Sequence, residues 1–252
     1  MSGLTPPRAP VAGLSCTPCT RDDLLALLRR RLSDTPAGAD TLTVLCVNAH
    51  IYNLAWSDAR LRATLEGAQV TALDGMSMVW TARRQGLEVP QRCNMTESFR
   101  AFLDDPDAPP SRALLIGLDE ASARRAAAVV NARGGSCRVV RAVSGYERQE
   151  DYARILREEA ADLVLLGCGT PRSEQLADRL AEEAVASVIW HVGGGTLRFL
   201  AGSAREAPAW MRATGLQWLH RLASDPRGMW RRYLLGNPAF VWRALVRGGI
   251  AR

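Results

Sequence analysis

The chain has 252 residues, 47% of them hydrophobic and 23% charged, which is long enough to bury a full core and too apolar for a disordered chain. Its net charge of +6 is unevenly placed. All 32 basic side chains are Arg, and residues 203–252 hold nine of them against Glu206 and Asp225, a net of +7 that leaves residues 1–202 at −1.

Residues 1–20, rich in Pro and Gly, read as a disordered leader without the continuous apolar run of a secretion signal. Cys16 and Cys19 form a lone CxxC there, and a structural zinc would need two more ligands nearby. A short amphipathic helix is predicted over 22–32 and a loop over 33–40. Strand 42–47 follows, then a helix over 51–65 with a break near Ser57 and Asp58, strand 69–73, helix 77–85, and a loop over 86–95 carrying Arg92 and Asn94. From Ala113 the alternation is regular, with strands over 113–116, 138–143, 163–166 and 187–192 and helices over 120–132, 151–160 and 173–184. Strands of four to six residues alternating with helices of ten or more predict an α/β fold, a Rossmann-like and mainly parallel sheet flanked by helices. Residues 21–202 are read as this α/β domain and 203–252 as a helical C-terminal appendage.

The appendage carries four of the seven Trp, at 210, 218, 230 and 242. Trp210, Thr214, Trp218 and Leu222 fall four apart, which predicts one helical stripe, and Trp230, Tyr233 and Leu234 repeat the spacing. Arg interleaved with Trp suits a membrane headgroup interface better than nucleic acid, for which no recognised module is present. The competing reading packs the stripe on the body of its own subunit. No uncharged apolar run is long enough to span a bilayer, so the expected location is cytoplasmic, peripheral on the inner face of the cell membrane. Six Cys in such a chain read as reduced core residues, not a disulfide framework.

Parallel α/β sheets bind ligands outside the carboxyl ends of their strands, and each predicted strand here ends in something small or polar. Asn48, Asp74, Gly117, Gly145 with Tyr146, the run 167–170 and the run 193–196 all belong to this set. Three consecutive glycines, Gly193 to Gly195, favour backbone approach to a phosphate or sugar, although any one of them also serves as an ordinary turn. No Walker loop or GxGxxG fingerprint occurs. Asp74, at the mouth of an apolar strand and followed by Gly75, is placed to take a proton from an attacking hydroxyl. Capping the next helix would use the same residue type.

These residues carry a resemblance. Asn48 after a buried strand, Asp74-Gly75, Gly145-Tyr146 and the run 167–174 are followed by Ala207-Pro208-x-Trp210, the segment 216–222, Asp225-Pro226, Arg231-Arg232-Tyr233 and Gly236-Asn237-Pro238. Together, over about residues 40–240, they resemble the WecG/TagA/CpsF glycosyltransferases. The resemblance implies an inverting enzyme with no bound metal or cofactor, which moves a sugar from a UDP-sugar donor to a polyprenyl-diphosphate-linked saccharide at the cytoplasmic membrane, within exopolysaccharide or other cell-envelope synthesis. Asp74 would be the general base and Asn48 would help hold the reacting sugar. Substrate contacts are expected from Cys46, His50, Gly75, Arg92, Tyr146, Gly169, Pro171, Glu174, Gly194 and Gly195, with Arg221, Arg231 and Arg232 neutralising the leaving diphosphate. Tyr146 either stacks on a base or sugar or packs over the sheet edge. A homo-oligomer is left open, as is the donor sugar. The sequence departs from the family pattern at Cys46, where Thr is common, at Arg172-Ser173 for Lys-Gln, at Glu206 for Arg, and at Arg198 for an Asp. A non-catalytic nucleotide-sugar-binding or membrane-scaffold protein of the same fold is the competing function.

Overall fold

A computed structural model describes residues 5–34, 40–183 and 186–250, apart from the side chains of 149 and 213. Most of the predicted loop 33–40, the predicted helix end at 184 and the first four residues of the leader lie outside the described residues.

The described part of the leader is ordered, which corrects the expectation of disorder. Ala9–Val11 (β1) and Leu14–Cys16 (β2) form an antiparallel hairpin, turned by Gly13 at φ +82°. Three-residue strands are too short to show periodicity, yet Val11, Leu14 and Cys16 are fully buried. The Arg8 guanidinium then fastens the hairpin to the body by donating to the Ser15, Leu65 and Ala68 carbonyls. Thr17 exchanges hydrogen bonds with Thr71 through its amide and its hydroxyl. Cys16 and Cys19 are buried free thiols of the core.

Helix Arg21–Ser33 (α1) begins at a capping box between Thr20 and Asp23. Leu42–Val47 (β3) is buried throughout, followed by Ala49–Ser57 (α2) and Ala59–Gly67 (α3), split at Asp58 as predicted. Next come Val70–Leu73 (β4), Met76–Arg84 (α4), Met95–Leu103 (α5), Ser111–Gly117 (β5), Glu120–Ala132 (α6), Cys137–Val143 (β6) and Gln149–Glu159 (α7). Leu163–Gly167 (β7), Arg172–Glu182 (α8), Val188–His191 (β8) and Gly194–Leu200 (α9) complete the body. Strands β3 to β8 form one six-stranded sheet in the order β4-β3-β8-β7-β5-β6, parallel at every pairing. Because all six run the same way, all their carboxyl ends open on one edge. Trp190 of β8 is fully buried beneath Phe99 and Phe102 of α5, edge to face at 5.6 and 5.8 Å.

Helix α5 is absent from the sequence-based prediction, which assigns no element between 95 and 113. Its signal was available: Asn94 caps the Glu97 amide, and Met95, Phe99, Phe102 and Leu103 recur at helical spacing.

The C-terminal segment is helical, and it differs from the predicted single stripe. Ala209–Ala213 (α10) and Gln217–Ser224 (α11) are separated by a turn in which Gly215 has φ +78°, so Trp210 and Trp218 belong to different helices. After Pro226–Trp230 (α12), a π turn over Arg231–Leu235 shifts the helical phase. Tyr233 therefore turns inward while Trp230 and Leu234 stay exposed. Gly236–Val241 (α13) packs on α2, with Phe240 edge to face on Tyr52 at 5.1 Å. A second π turn, Trp242–Val246, brings the chain back to the N-terminal hairpin, where the Ile250 amide donates to the Ala12 carbonyl. An added Cβ at Gly249 would stand 2.3 Å from that carbonyl oxygen, so only glycine permits the approach.

Candidate active site

The strand ends and the C-terminal helices enclose a cleft of about 1100 Å³. Val47 pairs with Leu73, so Asn48 and Asp74 each sit one residue beyond a matched strand end. The Asp74 amide donates to the Val47 carbonyl at 3.0 Å, and a Cβ on Gly75 would come within 3.2 Å of Asn48 Cβ. The two residues singled out in the sequence are thus neighbours on the floor of one cleft.

Asp74 does not cap α4, whose N-cap is Gly75 with no side-chain bond. Instead, its Oδ1 accepts from Asn94 Nδ2 at 2.9 Å and from the Met95 amide at 3.0 Å. Both donors meet one oxygen. Burial pushes the Asp74 carboxyl above the ordinary carboxylate range, against the opposing pull of the Met95 amide, Arg221 and Arg92. A carboxylate that is fixed on one oxygen and made more basic by its surroundings is equipped to take a proton on the other.

Asn48 is the cap: its Oδ1 accepts from the His50 and Ile51 amides at 3.0 and 3.2 Å and starts α2. That fixes the amide, and the same side chain hydrogen-bonds the Asp74 carboxyl and pulls its pKa down. Burial, and then Arg232, lower the His50 pKa to about 4, so the ring is neutral near pH 7. Cys46 also lines the cleft, and burial pushes its thiol well up, so it stands there as a neutral group.

Positive charge comes from three elements. Arg92 bonds to Glu97 at 3.1 Å and to the Arg212 carbonyl at 3.2 Å, tying the loop before α5 to α10. Arg221 of α11 lies over the Phe199 ring, and a Cβ added at Gly195 would come within 3.2 Å of its Nη2. The guanidinium and the glycine turn are therefore in contact. Arg232 also lines the cleft, and its buried Nε has no hydrogen-bond partner among the described residues. Burial lowers its pKa as well.

Gly169, Gly194 and Tyr146 line the same cleft, and the Tyr146 side chain is 75% exposed, which removes the reading that packs it over the sheet edge. Three expected site residues are not at the cleft wall. Arg231 is exposed and lies over the Trp230 ring at 5.3 Å, one residue out of phase with Arg232. Pro171 sits at the start of α8 behind a cis Thr170-Pro171 bond. Glu174 is fully buried, accepting from Thr170 Oγ1 at 2.8 Å and lying 3.3 Å from His191 Nδ1. It reaches the cleft only through Thr170 and His191, which do line it.

Sequence reasoning missed His191, the Asn94 and Met95 donors, and Trp80 and Arg84 on α4. A helix over 95–103 brings Asn94 and Met95 to the strand ends; nothing local marks the others. Glu206, where the family pattern has Arg, joins Arg100 at 2.5 Å to Arg212 at 3.0 Å, so the changed charge is locally matched.

Comparison with known proteins gives a family and a relative. The model of the glycosyl transferase WecG/TagA/CpsF family matches residues 9–251. A Bacillus spizizenii protein named N-acetylglucosaminyldiphosphoundecaprenol N-acetyl-beta-D-mannosaminyltransferase is 24% identical over 206 residues, covering 80% of this chain and 78% of its own.

Proposed function

The chain belongs to the WecG/TagA/CpsF glycosyl transferase family, and from that membership we propose that this glycosyltransferase moves a sugar from a UDP-sugar to a polyprenyl-diphosphate-linked saccharide, with inversion. The observation that carries the reading is the Asp74 carboxylate, held by Asn94 and Met95 on one oxygen and raised in basicity by burial at the cleft floor.

In the proposed step an acceptor hydroxyl attacks the anomeric carbon from the face opposite the diphosphate. The Asp74 oxygen that Asn94 and Met95 leave untied takes the hydroxyl proton as the new C–O bond forms. The bond from the anomeric carbon to the diphosphate breaks, and its electron pair leaves with UDP. Arg221, the Gly194 and Gly195 amides and the unpartnered Nε of Arg232 lie where they would meet that developing charge. The Asn48 amide would hold a hydroxyl of the reacting sugar, and exposed Tyr146 would stack on the base or the sugar. In this reading arginine supplies the charge that a metal ion supplies in other transferases. The relative's name supports the acceptor class, because it specifies an undecaprenol diphosphate bearing N-acetylglucosamine.

The test is transfer from a panel of UDP-sugars to a short-chain prenyl-diphosphate N-acetylglucosamine, with wild type beside Asp74→Asn. Acceptor-dependent UDP release that survives EDTA and is lost in the variant supports the reading. Full activity in Asp74→Asn removes the proposed base.

A further inference from the structure

Helix α4 starts directly after Asp74 and turns one ridge into the cleft. Ser77, Trp80, Thr81 and Arg84 all line it, the i, i+3, i+4, i+7 spacing of a single helical face. On the same helix Met78, Val79 and Ala82 are buried against the body, whereas Trp80 is 61% exposed. A large ring left in the open on the wall of the cleft is a surface for something to lie on. Arg83 spends its guanidinium on the Val89 and Pro90 carbonyls at 2.8 Å. The Arg84 guanidinium, exposed beside it, makes no hydrogen bond or ion pair among the described residues.

We propose that this ridge is the acceptor subsite, with Trp80 taking the apolar face of the acceptor pyranose and Arg84 its diphosphate. The proposal rests on the glycosyl-transfer reading above. Arg221 touches the glycine turn of α9 and interacts with Arg232; this cluster suits the donor diphosphate and leaves the α4 ridge for the acceptor. At 1.5 Å of rise per residue, Trp80 lies about 6 Å and Arg84 about 12 Å along the helix from Met76, two residues after Asp74. A saccharide whose hydroxyl sits at Asp74, and whose anomeric diphosphate points away from it, presents ring and then phosphates in that order. The apolar face of a pyranose on an indole and a diphosphate beside a guanidinium are both favourable pairings.

The test is direct binding, by calorimetry, of a short-chain prenyl-diphosphate N-acetylglucosamine and of octyl N-acetylglucosaminide, with UDP titrated separately. Trp80→Ala is expected to weaken both sugar probes by about tenfold and Trp80→Phe to restore most of the loss. Arg84→Ala is expected to weaken the diphosphate probe by about tenfold and to leave the octyl glycoside within twofold. UDP affinity is expected to stay within twofold in all three. Unchanged affinity for the diphosphate probe in both alanine variants overturns the subsite, and intact UDP binding in the same samples leaves the donor reading standing. Probe binding that responds to Trp80 and Arg84 in a protein that binds no UDP supports the subsite and overturns the donor reading instead.

Discussion

Burial that raises the Asp74 carboxyl means that the folded chain keeps a proton there at pH values where the unfolded chain has lost it. As pH rises through that window the ionised form costs stability, so the group best placed for proton transfer is a destabilising one at neutral pH. Asp74→Asn is expected to raise Tm at pH 7 and to lower kcat by about 10³-fold, with UDP affinity changed less than threefold. Calorimetry beside steady-state kinetics checks this, and a fall in both Tm and UDP affinity would mean a structural role. In wild type, kcat/KM is expected to fall as pH drops, with the midpoint above the ordinary carboxylate pKa. His50 has the opposite sign. Its folded pKa of about 4 lies below the ordinary value of 6.5, so between those values the unfolded chain binds a proton that the folded chain refuses. Stability is lost as pH falls from 6.5 to 4, and His50→Gln is expected to flatten that loss in urea titrations at pH 5 and 7.5.

Among the elements, α11, α13 and the π turns matter for the site because they carry charge and cover over the strand ends. Arg221→Ala is expected to lower kcat by about 10²-fold, as removal of one preorganised positive partner does. Gly195→Ala, whose Cβ would press on Arg221 Nη2 at 3.2 Å, is expected to act in the same direction with a smaller loss. An unchanged kcat in both variants would take the diphosphate away from this corner. The cover is held mainly by apolar contact. Phe240 is 2% exposed and packs on Tyr52, and Asn53 Nδ2 donates to the Gly236 carbonyl at 2.6 Å. Phe240→Ala is expected to cost about 3 kcal/mol in urea denaturation, and activity is expected to fall with it as α13 loosens from α2.

At the scale of the molecule, charge and exposed apolar surface coincide on the C-terminal helices. Trp210, Trp230, Trp242, Leu235 and Val246 are exposed in the segment that carries a net +7. No described helix is long and apolar enough to cross a membrane, and we propose that this face rests on a membrane surface that presents the lipid-linked acceptor. Co-sedimentation with vesicles containing anionic lipid is expected, weakened at high salt by screening and reduced in Trp230→Ser/Trp242→Ser. Equal binding to neutral vesicles at all salt concentrations would exclude the electrostatic part. Local pattern was enough to give the alternating strands and helices, and hence the parallel sheet, because apolar runs of four to seven residues and their helical partners are short-range signals. It was also enough to mark Asn48 and Asp74 as strand-end residues, while their packing decided that Asn48 caps α2 and Asp74 caps no helix. The ordered hairpin at 9–16 was not legible, because three-residue strands have no period and their stability comes from Arg8 reaching carbonyls some sixty residues away. The phase of Arg231 against Arg232 was set by a π turn that no residue type announces. Which oxygen of Asp74 is tied, that Glu174 meets His191 and that Trp80 stands open were decided only by the packing of distant segments, whose contacts leave no trace in the spacing of either.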